Sequence, residues 1–154
     1  MFVHQTPSSL AHPRRKSRRS GVLTVELLLT LPILLIVFFG IFEYSMLLLG
    51  DQTLTAAAEV GSREATLPMA THARVVTAVH TSIADWNIES FVSIAIEVNG
   101  SPDNITPLTT AVTGDEITVI VTVDSTHASP DLLKFVGATL TGQKLRASFT
   151  MRKE

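Results

Sequence analysis

Five cations, Arg14, Arg15, Lys16, Arg18 and Arg19, stand just before an apolar stretch that runs from Val22 to Leu49, with Gly21 at the junction. As a helix its roughly 28 residues would be about 42 Å long, against about 30 Å of membrane hydrocarbon. A chain built this way is expected to cross a bilayer once. Two charges interrupt the stretch, Glu26 and Glu43. The interval from Leu27 to Phe42 between them is about 24 Å of helix, so each carboxylate could mark one edge of the hydrocarbon. Tyr44 beside Glu43 suits an interface, where aromatic side chains concentrate. Glu26 lies within the apolar start, where a charge near the helix centre costs about 2.5–3.5 kcal/mol. It needs either an interfacial position or a partner.

The cations set the orientation. Basic residues flanking a membrane segment stay in the cytoplasm, and none occurs between Arg19 and Arg63. Residues 1–21 are therefore expected to be a cytoplasmic basic leader, 22–49 a transmembrane helix and 50–154 an exported domain. A cleaved secretory signal would have a shorter apolar core, about 7–15 residues, ending at a small-residue cleavage site. Ala56 to Ala58, the nearest such pattern, lies well past the exit expected for it.

After the span, the remaining chain suffices for one small domain with one core. It contains no cysteine, so disulfides, thiolate metal sites and thiol nucleophiles are excluded together. Five of the 12 Lys and Arg precede Gly21, leaving seven bases against 14 acids and a formal charge of −7. Such an exported part has no basic surface suited to nucleic acid.

Periodicity predicts an α+β domain. Asp51 to Thr66 is Ala-rich and free of proline, so the first helix is expected to continue through it. Leu54, Ala57, Ala58, Gly61 and Ala65 share one face, while Ser62 and Arg63 lie largely off it. Leu67-Pro68 ends the helix. A second helix is predicted from Thr71 to Asp85, with Val76, Val79, Ile83 and Trp86 facing the core. His72 and His80 on it lack the i, i+4 spacing of a metal pair and read as a polar face. The period then changes to 2 in three segments, around Val92–Val98, Ile117–Val123 and Leu145–Met151. A three- to four-stranded antiparallel sheet is expected, with Ile94, Ile96, Val119, Val121, Leu145 and Phe149 inward. Asn99-Gly100 signals a turn, and the long connection after it has room for an extra short strand. Ser129-Pro130-Asp131 can open a helical turn through Phe135 before Gly137.

No local spacing suggests a nucleophile elbow, a phosphate loop or a metal motif. The expectation is a protein with no catalytic residues, metal or cofactor, and no small-molecule substrate.

The run of basic residues, Gly21, apolar Val22 to Val25 and Glu26 resembles the processing site of type IV pilins and pseudopilins. Thr24-Val25-Glu26-Leu27, Leu31-Pro32, Phe39-Gly40-Ile41-Phe42-Glu43-Tyr44 and Ala56-Ala57-Ala58-Glu59 are similar to the TadE-like family of tight-adherence pilus proteins, as is the ending Ala147 to Arg152. Leu27 to Leu29 and Ser45-Met46 depart from that family's common residues. The resemblance implies a minor pseudopilin in the bacterial cytoplasmic membrane, with Gly21 and Val22 as the site cut by prepilin peptidase and Arg14, Arg15, Lys16, Arg18 and Arg19 as the leader charges. It implies Glu26 as the assembly residue, and other pilins and pilus assembly proteins as partners. Two other classes fit the residues: an uncut single-pass protein with an external partner- or ligand-binding domain, and a membrane-tethered hydrolase.

Overall fold

The computed structural model describes residues 19–86 and 89–154. Helix α1 spans Arg19–Thr66 without interruption at Pro32. The chain divides into two compact units, Met1–Leu35 and Ile36–Glu154.

In the first unit α1 is apolar and outward-facing, with Leu23, Val25, Leu27, Leu28, Leu29, Ile33 and Leu34 all exposed. An 18-residue window of the Leu23–Thr66 segment has a mean hydropathy of 2.6, so α1 is a candidate membrane span. The Thr30 hydroxyl is satisfied within the helix, its Oγ1 donating to the Glu26 carbonyl at 3.0 Å. Hydrocarbon demands such internal pairing, because it offers no other partner.

The second unit is a helix pair on a four-stranded sheet. α1 ends at Thr66, before Leu67-Pro68 as expected. Helix α2, His72–Ile83, begins at the cap Thr71, whose side chain accepts the Arg74 N–H, and a 3-10 turn, Ala84–Trp86, follows it. The strands are β1 Ser93–Val98, β2 Ser101–Pro102, β3 Glu116–Asp124 and β4 Lys144–Arg152, in the order β2-β1-β3-β4. All pairs are antiparallel; Ile96 faces Val119, which faces Phe149. The extra strand is β2, and a two-residue hairpin joins it to β1. Asn99 and Gly100 have φ of 51° and 77°, the doubly positive turn for which Asn-Gly is suited.

Leu54, Ala57, Ala58 and Ala65 of α1 and Val75, Val79 and Ile83 of α2 pack with Ile96, Val98, Ile117, Val119, Val121 and Val123 of the sheet. Ile94, Leu145 and Phe149 pack against this core from partly buried positions. Two expectations need correction. The inward valine of α2 is Val75, and Val76 is half-buried one position round. Val75 and Val79 straddle Gly61, where an added Cβ would lie 2.7 Å from Val79 Cγ2 and 3.6 Å from Val75 Cγ1; the close approach of the two helices sets the roll of α2. Ser62, expected off the inward face, is fully buried. Its hydroxyl reaches both the Ala58 carbonyl and, across to β4, the Phe149 carbonyl, and that pairing makes its burial tolerable.

Candidate functional site

Arg14, Arg15, Lys16 and Arg18 lie outside the described residues. Arg19, Gly21 and Val22 are in the opening turns of α1. Glycine has the poorest helix propensity after proline, and the first turn of a helix lacks four of its amide partners. A glycine here lowers the intrinsic helix propensity beside the bond that follows it. One turn on, Glu26 is exposed between exposed Val25 and Leu27. Among the described residues its carboxylate has no ion-pair partner. It is a carboxylate set among the exposed apolar side chains of Leu23, Val25, Leu27, Leu28 and Leu29.

The other carboxylate of the apolar stretch behaves in the opposite way. Glu43 is only 6% exposed. Its Oε2 accepts the backbone N–H groups of Leu132 and Leu133 at 3.0 and 3.1 Å. These residues open a 3-10 turn, Leu132–Val136, which Gly137 closes in the left-handed conformation at φ 89°. Asp131 holds the far side of the loop through the Thr139 hydroxyl at 2.8 Å and the Leu140 N–H at 3.3 Å. The Phe135 and Phe39 rings meet in a T-shaped arrangement with centroids 6.3 Å apart. Sequence reasoning read Glu43 as an interface marker and missed this role. The signal lay in the polar cluster Ser129 to Asp131, but nothing local ties it to a helix residue so distant in sequence.

Beside this turn is an open, mostly apolar cavity of about 400 Å³ lined by Met46, Leu49, Trp86, His127 and Ser129, among others. Phe91 stacks on His127 with centroids 3.8 Å apart. His72, read as a surface residue, pairs its Nδ1 with Asp103 at 3.0 Å and ties the start of α2 to the loop after β2. Among the described residues no group of three or more His, Asp or Glu is arranged to hold a metal ion.

Residues 21–63 match the family model described as TadE-like protein. This segment is TadE-like. The match begins at Gly21, includes both Glu26 and Glu43, and ends at Arg63, before the end of α1. The matched segment thus lies wholly within α1 and includes none of the sheet. Comparison with curated proteins and with solved structures gives no match.

Proposed function

We propose that the chain is a minor pseudopilin of a tight-adherence pilus or a related secretion system. Its leader would lie in the cytoplasm and its α+β domain outside, with prepilin peptidase cutting between Gly21 and Val22. The chain is a substrate of that peptidase and not itself an enzyme, and it assembles with other pilins through α1. Glu26 carries this reading. It is exposed and has no ion-pair partner among the described residues, on a helix apolar enough to span a membrane and within the TadE-like segment. A charge in such surroundings is costly unless paired. Cutting after Gly21 creates a cation at the Val22 amine, and in the low dielectric of a helix bundle that amine on one subunit would attract the Glu26 carboxylate of the next. Removing Arg14 to Arg19 would also remove the charges that resist lifting the helix out of the bilayer.

Two measurements test the placement and the processing. A reporter fused after Glu154 is expected to be active only outside the cytoplasmic membrane. The intact mass of the chain, purified from cells that contain prepilin peptidase, should correspond to a start at Val22. A leader retained in such cells would instead favour the uncut single-pass protein with an external binding domain.

A further inference from the structure

The turn that Glu43 holds presents its apolar side chains outward. Leu132 and Leu133 are half-buried against the helix, but Phe135 and Val136 are 65% and 46% exposed, with Lys134 exposed beside them. On α1 alongside the turn, Phe38, Ile41, Phe42 and Tyr44 are exposed too. Phe39, Gly40 and Glu43 occupy the remaining side of the helix, and it is this side that the turn covers: Phe135 meets Phe39, Leu133 Cδ1 lies 3.7 Å from the place of a Cβ on Gly40, and Leu132 and Leu133 donate to Glu43. Exposed apolar side chains therefore stand both on the helix and on the turn packed against it.

What covers that surface follows from its position along the chain. About 20 residues of helix cross about 30 Å of hydrocarbon, and counted from Leu23 they reach Phe42. The turn packs on Phe39 to Glu43, at the outer end of that count. Tyr44 and Lys134 flank it, the residue types that anchor at headgroups, with the lysine stem lying along apolar surface and its ammonium in water. An apolar face that surrounds the helix on every side not covered by the turn suits an environment that is the same in all directions, as hydrocarbon is.

We infer that the Leu132–Val136 turn is a membrane foot: it seats in the outer-leaflet interface, with Phe135 and Val136 among the upper acyl chains and Lys134 at the phosphates. The inference rests on α1 spanning the bilayer. It accounts for the treatment of Glu43, since a carboxylate at that level loses water and is compensated by two backbone N–H groups. It also gives the external domain a fixed height above the membrane, and subunit extraction would have to withdraw the foot along with the helix.

The chain has no cysteine, so single labels can be placed without background. Val136→Cys, Val112→Cys and Leu28→Cys would each carry an environment-sensitive fluorophore in full-length protein reconstituted into phosphatidylethanolamine and phosphatidylglycerol vesicles. Val112 is exposed in the loop before β3, at the far end of that strand from the turn-bearing side. The expected result is quenching at Val136 by lipids with a nitroxide high on the acyl chain and protection from aqueous iodide, with the reverse at Val112. The label at Leu28 should be quenched by nitroxide lipids. Iodide quenching at Val136 with lipid quenching kept at Leu28 would overturn the foot and leave the span intact. Protection of Val136 from both quenchers would mean that a second copy covers the turn, and would also overturn it. Loss of lipid quenching at Leu28 would remove the span and the foot together.

Discussion

The Glu43 carboxylate accepts the backbone N–H of Leu132 at 3.0 Å, joining the middle of an apolar helix to a loop 89 positions away. With the Leu133 N–H on the same oxygen, one side chain supplies the acceptor for two donors at the start of a turn, in the way a helix cap does. Replacing Glu43 by Leu would preserve apolarity and leave both donors without that acceptor. The expected cost is about 1–3 kcal/mol, together with faster amide exchange at Leu132 and Leu133. Glu43→Gln retains an acceptor oxygen and should lose less. Unchanged exchange in Glu43→Leu would show that water already serves those amides.

Gly61 sets two effects against each other. On helix propensity alone, Gly61→Ala would stabilise α1 by about 0.5–1 kcal/mol. The new Cβ would sit 2.7 Å from Val79 Cγ2 and 3.1 Å from Val119 Cγ1, and both neighbours are β-branched and stiff at χ1. Overpacking of this kind costs about 1–3 kcal/mol, so it wins and thermal stability falls. A melting temperature that rises would show that α2 moves away freely.

Acid should weaken the end of the sheet where Asp115 lies. The Asn99 side chain, which donates to Asp115 Oδ1 at 2.8 Å, holds this carboxyl below its ordinary value, helped by the Val112 N–H at 2.8 Å and by the charge of Lys153. A carboxyl whose folded pKa is lowered contributes stability above its unfolded pKa, near about 4, and loses it as pH falls through the lower folded value. The stability advantage of the parent over Asp115→Asn, measured by denaturant unfolding, should therefore be constant near neutral pH and shrink below about pH 4. A constant advantage into strong acid would contradict the assigned contacts.

Periodic features were legible in the sequence because one chemical pattern determined each. Leu54, Ala57, Ala58 and Ala65 form the inward face of α1 as their spacing predicts, Asn99-Gly100 makes its hairpin, and the turn before Gly137 forms where Ser129-Pro130-Asp131 announces it. Features set by two distant segments were not legible. Val75 displaces Val76 because Gly61 lets the helices close, and Ser62 is buried because Phe149 on β4 offers a carbonyl. Glu43 carried a charge that read as an edge of the membrane, and only the folded loop reveals its two donors. Glu26 was visible as an anomaly from its neighbours alone, since no polar residue but Thr24 and Thr30 lies near it in the apolar stretch.

The most direct test of the assembly account compares two substitutions in cells that contain prepilin peptidase and the pilus proteins. Gly has no side chain to obstruct approach to its carbonyl, so Gly21→Leu should block cutting and leave the leader attached. Glu26→Gln leaves the scissile bond untouched, so its product should still begin at Val22 while the charge that pairs with that amine is gone. Intact mass and co-purification with the other pilins, read together, are expected to show a cut and assembled parent, a cut but unassembled Glu26→Gln, and an uncut Gly21→Leu. A Glu26→Gln chain that assembles as the parent does would contradict the charge pairing, and a parent that keeps residues 1–21 would contradict the pseudopilin reading as a whole.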